Sequence, residues 1–192
     1  MKASQLNALG TQLVYMFPSI YKSNIPTSLA VRYPMLQTLL SEKKLKGFVK
    51  TVDEQKSIIP IKSAKNVVFT SIVKSRRFGG DLYSEIVAKY LKSDLEVEVW
   101  RRGAKNLESS CKKPAVKNIL ELKIGAIAFP TTKDHSKWAV TVGKDRKSNA
   151  ICIGDINRQE SQFRRGGGTT CLESKVIRKL FKNTVNMVEN CD

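Results

Sequence analysis

A chain of 192 residues, of which 41% are hydrophobic and 27% charged, is long enough to bury the core of one domain and too apolar to stay disordered. No apolar run approaches the roughly 18 residues that a membrane-spanning helix needs, so a spanning segment is not expected. Lys and Arg number 34 against 17 Asp and Glu, and the formal net charge of +17 predicts binding to polyanions. Nucleic acid is the first candidate, an anionic membrane surface or a heparin-like glycan is the second, and a basic protein without a polyanion ligand is the alternative.

The first 50 residues are predicted to form one strand and two helices. Residues 11–21, TQLVYMFPSIY, predict a strand that ends at Pro18. Residues 25–47 predict two short helices divided near Pro34, because proline disfavours helix in the residue before it. Gly47 is expected to end the second helix. The N-terminal residues lack the apolar core and the cleavage site of a signal peptide, so none is predicted.

A strand, a helix and a second strand are predicted in the middle of the chain. Residues 66–75 are rich in β-branched and aromatic side chains, which favours a strand. Residues 81–93 predict a helix with Asp81 as its N-cap and an apolar stripe along one side. Residues 95–102 alternate apolar and charged side chains, which is typical of a half-buried strand.

The last third of the chain is predicted to be richer in strands. Three strands are expected at residues 125–130, 137–143 and 150–156, and a hairpin turn joins the last two. Residues 164–170 predict a glycine-rich loop, and residues 172–188 an amphipathic helix. Because strands and helices mix without strict alternation, we expect an α/β fold with a mixed sheet, in a single domain over residues 1–192.

The four cysteines, Cys111, Cys152, Cys171 and Cys191, include no C-x-x-C pair, so zinc and dithiol redox sites are poorly supported. Their even number indicates two disulfides with three possible connectivities, and four buried thiols are the alternative. No cluster of acidic residues predicts a metal site.

His135 is the only histidine, and a lone histidine is more often a surface or structural residue than a catalytic one. Residues two apart on a strand share a face, so His135 and Lys137 are expected to lie side by side. An antiparallel hairpin would bring Asp155 and Asn157 to the same end of the sheet. A neutral imidazole can attack phosphorus while an ammonium and an amide hold the non-bridging oxygens, so these residues predict phosphoryl-transfer chemistry.

Three neighbouring residues each have a functional and a structural interpretation. Asp134 either orients His135 or ends a loop. Arg164 and Arg165, at the start of the glycine-rich segment, either contact phosphate or are solvated. The glycines themselves do not form a P-loop, because no G-K-[ST] follows them.

Several segments of the sequence resemble deoxyribonuclease II, in the order in which they occur in that family. The first is similar to a stretch near the middle of the family's chain and the others to its C-terminal half: YMFPSIY, FGGDLYS, VEVWRRG, DHSKW, GDINRQ and RRGGGTTC. The resemblance extends over essentially all 192 residues. Because it consists of several motifs rather than H-x-K alone, it is specific.

The resemblance implies one half of a phospholipase D-like architecture, a mixed sheet flanked by helices, whose signature is H-x-K followed by G-S-x-N. These elements fall on His135 and Lys137, and on Gly154, Asp155 and Asn157, with Asp155 in place of the serine. The implied activity is an acid endonuclease that cuts DNA without a metal or another cofactor. One histidine attacks phosphorus to form a phosphohistidine, and a second protonates the departing oxygen.

The resemblance also implies roles for individual residues. His135 is nucleophile or acid, and Lys137 and Asn157 hold phosphate. Asp134 and Asp155 are supporting residues, and Arg164 and Arg165 bind DNA. By position, the disulfides would pair Cys111 with Cys191 and Cys152 with Cys171, as expected of a secreted or lysosomal protein.

The sequence departs from the family pattern in one respect that decides how it can work. The family's chain has two H-x-K elements, whereas this chain has one histidine and already begins near the family's middle. Three explanations remain: a fragment that lacks the N-terminal half, a catalytically inactive secreted relative that binds DNA or another polyanion, or a half-enzyme whose homodimer joins two copies of His135.

Overall fold

The protein folds around a mixed β-sheet, as shown by a computed structural model that describes residues 3–51 and 54–190. Nine strands belong to it: β1 (Lys56–Lys62), β2 (Val68–Lys74), β3 (Asp94–Glu98), β4 (Val116–Ile124), β5 (Ile127–Pro130), β6 (Trp138–Val142), β7 (Ala150–Gly154), β8 (Gly167–Glu173) and β9 (Val185–Val188). Six α-helices accompany them: α1 (Ala3–Met16), α2 (Thr27–Arg32), α3 (Pro34–Leu39), α4 (Glu42–Thr51), α5 (Ala88–Leu91) and α6 (Lys175–Lys182). In these described ranges no helix is both long enough and apolar enough to cross a membrane.

The strand order confirms the predicted α/β class with a mixed sheet. The order is β1–β2–β8–β7–β6–β3–β4–β5, and β9 also pairs with β4. β3 and β4 run parallel, whereas the other pairs are antiparallel. β7, β6 and β3 therefore lie in the middle of the sheet, and most of their residues are buried.

One face of the sheet is covered by the helical segment that follows β2. A π-helical turn, Tyr83–Val87, leads directly into α5. The predicted helix and its cap are confirmed, because the Asp81 carboxylate accepts hydrogen bonds from the Ser84 N–H at 2.9 Å and from the Ser84 hydroxyl at 2.8 Å. Leu82 and Ile86 place the apolar side of this segment in the main core.

The other face is covered by α6, whose Phe181 ring meets the Trp138 ring edge to face at 5.2 Å. The prediction of one helix over residues 172–188 is wrong beyond Lys182. The chain turns and returns as β9, because Val185 and Val188 pair with Leu122 and Ile119 of β4. β-Branched residues fit that pleated surface better than a helix.

The predicted strand at residues 11–21 is wrong, since these residues continue and follow α1. Val14 is fully buried and packs in a cluster with Leu39 and Leu45, so the apolar residues serve one face of a helix. Gly10 lets α1 approach α3 closely, because a Cβ there would lie 3.0 Å from the Cβ of Met35. Tertiary packing has overridden a short apolar pattern here.

The helical prediction for residues 25–47 is right about the break at Pro34, which separates α2 from α3. The prediction of only two helices is wrong, because α3 ends at Leu39 and a third helix, α4, begins at Glu42. Gly47 does not end that helix, which runs on to Thr51. A Cβ at Gly47 would have no atom within 4 Å, so the residue is an ordinary helical position that faces open space.

Two further predictions about strands need correction. The glycine-rich segment 164–170 is a loop only as far as Gly166, because β8 begins at Gly167. A Cβ on Gly168 would lie 2.4 Å from the Ile72 carbonyl oxygen of β2, so glycine allows this strand to pair closely. β3 is buried on both faces rather than half-buried, and it encloses even the carboxylates of Glu96 and Glu98.

Candidate active site

The predicted site residues meet where β6 begins and β7 ends. The two strands pair antiparallel with Trp138 opposite Ile153, which puts the residues before β6 beside those after β7. The Gly154 N–H donates to the Lys137 carbonyl oxygen at 2.9 Å and continues the ladder by one residue. The hairpin that the sequence predicted therefore brings the segment 134–137 next to Asp155.

His135 and Lys137 lie side by side at this end of the sheet. The Lys137 Nζ donates to the His135 carbonyl oxygen at 2.6 Å and lies 3.4 Å from the imidazole Nδ1. His135 is exposed, whereas Lys137 is only 8% exposed. Burial, with the positive charge of Arg165 next in size, lowers the pKa of Lys137; nearby carboxylates oppose the shift. The site thus presents an open imidazole above a desolvated ammonium.

Trp100 and Asn157 form the other wall of the site. The Trp100 ring lies 5.0 Å from the His135 ring, tilted by 46°, and its backbone N–H donates to the Asn157 Oδ1 at 3.2 Å. This bond fixes the amide of Asn157, which is 8% exposed. Because its Oδ1 is occupied as an acceptor, the amide keeps its NH₂ group as the donor for an anion.

Asp155 joins the site to the segment that contains the arginines. Its Oδ1 accepts from the Gly168 N–H at 2.8 Å, and its Oδ2 pairs with the Arg165 guanidinium at 3.2 Å. Arg165 also donates to the Asp155 carbonyl oxygen at 3.1 Å. The adjacent Arg164 is exposed. Asp155 therefore orients backbone and guanidinium donors as well as carrying charge.

Asp134 uses its carboxylate within its own turn. The Ser136 N–H donates to Oδ1 at 3.0 Å and the Ser136 hydroxyl donates to Oδ2 at 2.5 Å. These bonds hold the exposed segment 134–136 in the conformation that presents His135 at the start of β6.

Comparison with known proteins places the chain in a family. A family model described as deoxyribonuclease II matches residues 1–191. The chain belongs to the deoxyribonuclease II family. The deoxyribonuclease-2 of Caenorhabditis elegans is 39% identical over 192 residues, and plancitoxin-1 of Acanthaster planci is 37% identical over 192 residues. The deoxyribonuclease-2-alpha of Sus scrofa is 32% identical over 197 residues.

The chain spans about half the length of these relatives. The alignments cover 98–99% of this chain, but 49% of the nematode enzyme, 52% of plancitoxin-1 and 50% of the porcine protein. The activity, substrate and partners of a whole family member are therefore proposals for this chain.

A disulfide braces the strand that ends at the site in this deoxyribonuclease II family member. Cys152 and Cys171 are directly opposite each other on β7 and β8, and their sulfur atoms are bonded. The bond ties β7, which leads into Asp155 and Asn157, to the strand that follows the arginines. The other expected pair includes Cys191, which lies outside the described residues.

Lys74 is a buried residue that sequence reasoning missed and that supports the segment with the arginines. Its side chain is fully buried, and its Nζ donates to the carbonyl oxygens of Gln162, Phe163 and Arg165 at 2.8, 3.1 and 2.7 Å. Burial lowers the pKa of Lys74 to about 8, so the ammonium remains protonated in acid. Lys74 thus fixes the turn at Glu160–Arg164 that carries the two arginines to the site.

Glu98 is a second buried titratable residue that the sequence alone did not reveal. It lies opposite Trp138 on β3, and among the residues that the structure describes its two carboxylate oxygens have no hydrogen-bond partner. Burial, helped by the negative charge of Asp134, raises the pKa of Glu98 to about 9; Arg101 and Lys137 oppose the rise. At neutral and acidic pH Glu98 is therefore a neutral acid beside the site.

Within residues 3–51 and 54–190, no group of three or more His, Cys, Asp and Glu side chains is placed to hold a metal ion. The donors gathered at His135 are an imidazole, an ammonium, an amide and guanidinium groups. The ammonium, the guanidinium groups and the amide NH₂ are donors that bind anions, whereas a neutral imidazole can act as a nucleophile or as a metal ligand.

Proposed function

We propose that this chain carries the histidine half-site of an endonuclease that hydrolyses DNA phosphodiesters at acidic pH without a metal. The observation that carries the proposal is the contact of the buried Lys137 ammonium with His135, beside the fixed amide of Asn157. The net charge of +17 supports a polyanionic substrate, and membership of the deoxyribonuclease II family supports DNA.

The first step forms a bond between a nitrogen of His135 and phosphorus while the bond from phosphorus to the leaving oxygen breaks. The attacking atom is Nε2, with the ring proton on Nδ1. The Lys137 ammonium only donates; it makes a short bond of 2.6 Å to the His135 carbonyl oxygen and lies 3.4 Å from Nδ1. The exposed imidazole must therefore turn its Nδ1–H away from Lys137 for this tautomer to form. Lys137 and the Asn157 NH₂ group hold the non-bridging oxygens as negative charge develops.

The departing oxygen takes a proton from a second acid, and water then breaks the nitrogen–phosphorus bond to restore His135. That second acid is not another histidine of this chain, because His135 is its only one. We propose that it comes from the remainder of a longer protein or from His135 of a second copy.

The Cys152–Cys171 disulfide supports a secreted or lysosomal location, since such bonds persist in oxidising compartments. The large positive charge favours one alternative function, an inactive relative that binds DNA or another polyanion. In that case His135 and Lys137 would contact phosphate without cleaving it.

The test is plasmid nicking in EDTA at about pH 5, where a histidine-based acid nuclease is expected to act. Wild type is compared with His135→Ala and with Thr132→Ala, which removes a nearby exposed hydroxyl outside the site. The proposal expects nicking by wild type and Thr132→Ala, alone or with an added N-terminal half, and at least about a hundredfold loss in His135→Ala. Equal nicking by all three proteins would contradict the role of His135. Gel retardation without nicking, with or without an added N-terminal half, would support the binding alternative.

A further inference from the structure

A basic cavity of about 520 Å³ is lined by Asp155 of the site, but not by His135. Its walls come from the end of α1, the residues after β2 and the turn before β8; they include Phe17, Arg76, Asp155, Arg164, Arg165 and Gly166. Three guanidinium groups face one carboxylate, which itself pairs with Arg165. The cavity therefore has an excess of positive charge and the size of a small-ligand site.

The cavity wall is held in a conformation that most sequences would avoid. Phe17 has a φ of 52°, in the left-handed region, and its N–H donates to the Leu13 and Val14 carbonyl oxygens at 3.1 and 3.2 Å as α1 ends. An aromatic residue in that region is strained, so the surrounding contacts must fix it. One such contact is Gly166, where a Cβ would lie 2.4 Å from the Met16 carbonyl oxygen.

Phe17 in turn fixes Arg76. The Arg76 guanidinium lies over the Phe17 ring, 4.9 Å from its centroid. This contact orients the planar guanidinium while leaving its N–H edges available, which suits bidentate recognition of a phosphate. Arg165 is different, because the Asp155 carboxylate already occupies it.

The cavity adjoins the reacting groups through a single residue. Asp155 lines the cavity and follows Gly154, whose N–H is bonded to the Lys137 carbonyl oxygen. An anion in the cavity and an anion on Lys137 would thus both lie next to the segment Gly154–Asp155. Successive phosphates of one nucleic-acid strand are anions that covalent bonds hold close together.

We propose that this cavity binds a phosphodiester of the DNA strand flanking the one held at His135, with Arg76 and Arg164 as its ligands and Phe17 as the positioning residue for Arg76. The inference rests on the proposed function, because it takes the strand at His135 to be DNA.

The test measures binding of a fluorescein-labelled DNA duplex by anisotropy in EDTA over a series of salt concentrations, in a His135→Ala background so that nothing is cut. Arg76→Gln is expected to weaken binding about tenfold and to lower the salt slope of log K by about 1. Arg32→Gln is the matched control, since Arg32 also lies over a ring, that of Tyr33 at 5.8 Å, but does not line the cavity. It should leave both quantities unchanged.

Phe17 is tested by a conservative pair of variants. Phe17→Leu should weaken binding several-fold, and Phe17→Tyr, which retains the ring, should bind as wild type does. If Phe17→Leu does not fold, Arg76→Gln and Phe17→Tyr decide the matter between them. Equal affinity and salt slope in the Arg76→Gln and Arg32→Gln proteins would overturn the cavity as a phosphate site.

Failure of this proposal is distinguishable from failure of the catalytic one. If Arg76→Gln weakens DNA binding but the protein never nicks DNA, the cavity is supported as a phosphate site and only the role of His135 is overturned. Nicking that depends on His135, without any Arg76 effect on binding, supports the catalytic proposal and overturns the cavity.

Discussion

Replacing Glu98 with glutamine is expected to change how the stability of the protein depends on pH. Glu98 is fully buried, and its pKa rises from an ordinary value of 4.5 to about 9 on folding. Between these values the unfolded chain has released the proton and the folded chain has kept it. The stabilisation is therefore complete below about pH 4.5 and is lost as the pH rises toward 9, with a slope of about 1.4 kcal/mol per pH unit. Between pH 5 and 7 the loss amounts to about 2.5 kcal/mol as an upper figure.

Urea unfolding at pH 5, 6 and 7, without reductant, measures this slope. Glu98→Gln removes the titrating group, so its stability relative to wild type should increase by up to about 2.5 kcal/mol from pH 5 to pH 7. Any loss of stability caused by burying the glutamine amide is independent of pH, so it does not change the slope of stability against pH. Glu160→Gln is the control, because that carboxylate is exposed and pairs only with the exposed Lys105. A constant difference between wild type and Glu98→Gln over this range would refute the reasoning.

Three further substitutions test contacts that hold the site. Lys74→Met removes the donor from three carbonyl oxygens and should lower the free energy of unfolding by about 3 kcal/mol. Lys62 is exposed, so Lys62→Met should change that free energy little. Equal urea midpoints of the two variants would contradict the role of Lys74. Replacing both Cys152 and Cys171 with serine removes a disulfide across a sequence separation of 19, which should lower the free energy of unfolding by about 3 kcal/mol. The measurement compares the variant with wild type in its oxidised and in its reduced state. Arg158→Met removes the guanidinium that pairs with the buried Asp81 carboxylate at 3.3 Å and should lower the free energy of unfolding by about 3–5 kcal/mol, measured by thermal unfolding; a loss below about 1 kcal/mol would contradict a stabilising buried pair.

The parts of the fold that sequence predicts well are those whose partners are close in the chain. The β6–β7 hairpin has its two strands on either side of one turn, so alternation and turn residues are sufficient to define it. The helical segment after β2 is also defined locally, because its cap, Asp81, accepts a hydrogen bond from the N–H of Ser84, three residues later. In both cases the decisive contacts are local.

The wrong predictions involve contacts between distant segments. Residues 11–16 are helical because Gly10 and Val14 pack on α3 and α4. The sequence of residues 11–16 gives no indication of these two packing partners. Gly168 belongs to a strand because β2, about a hundred residues earlier, approaches it closely. A short pattern cannot distinguish a glycine in a loop from one that allows two backbones to meet.

The same distinction divides the site residues. His135, Lys137 and Asn157 were predicted as neighbours because a single hairpin carries them. Trp100 meets Asn157 across a separation of 57 residues, and Lys74 meets the arginine turn across 88 to 91. An aromatic residue after an alternating strand was the one signal for Trp100, and nothing distinguishes Lys74 among 34 basic residues.

The buried acid and the buried ammonium together decide how much positive charge the site offers. An ionised Glu98 would attract Lys137 and compete with a phosphate for it. Because burial keeps the Glu98 pKa near 9, the carboxyl stays neutral through the acidic and neutral range, and its effect on Lys137 is removed there. The anions left to balance Lys137 are Asp134, which is bonded to Ser136, and Asp155, which is paired with Arg165. A phosphodiester arriving at His135 therefore meets an ammonium whose nearby carboxylates are already engaged, and that is the electrostatic condition for anion binding at this end of the sheet.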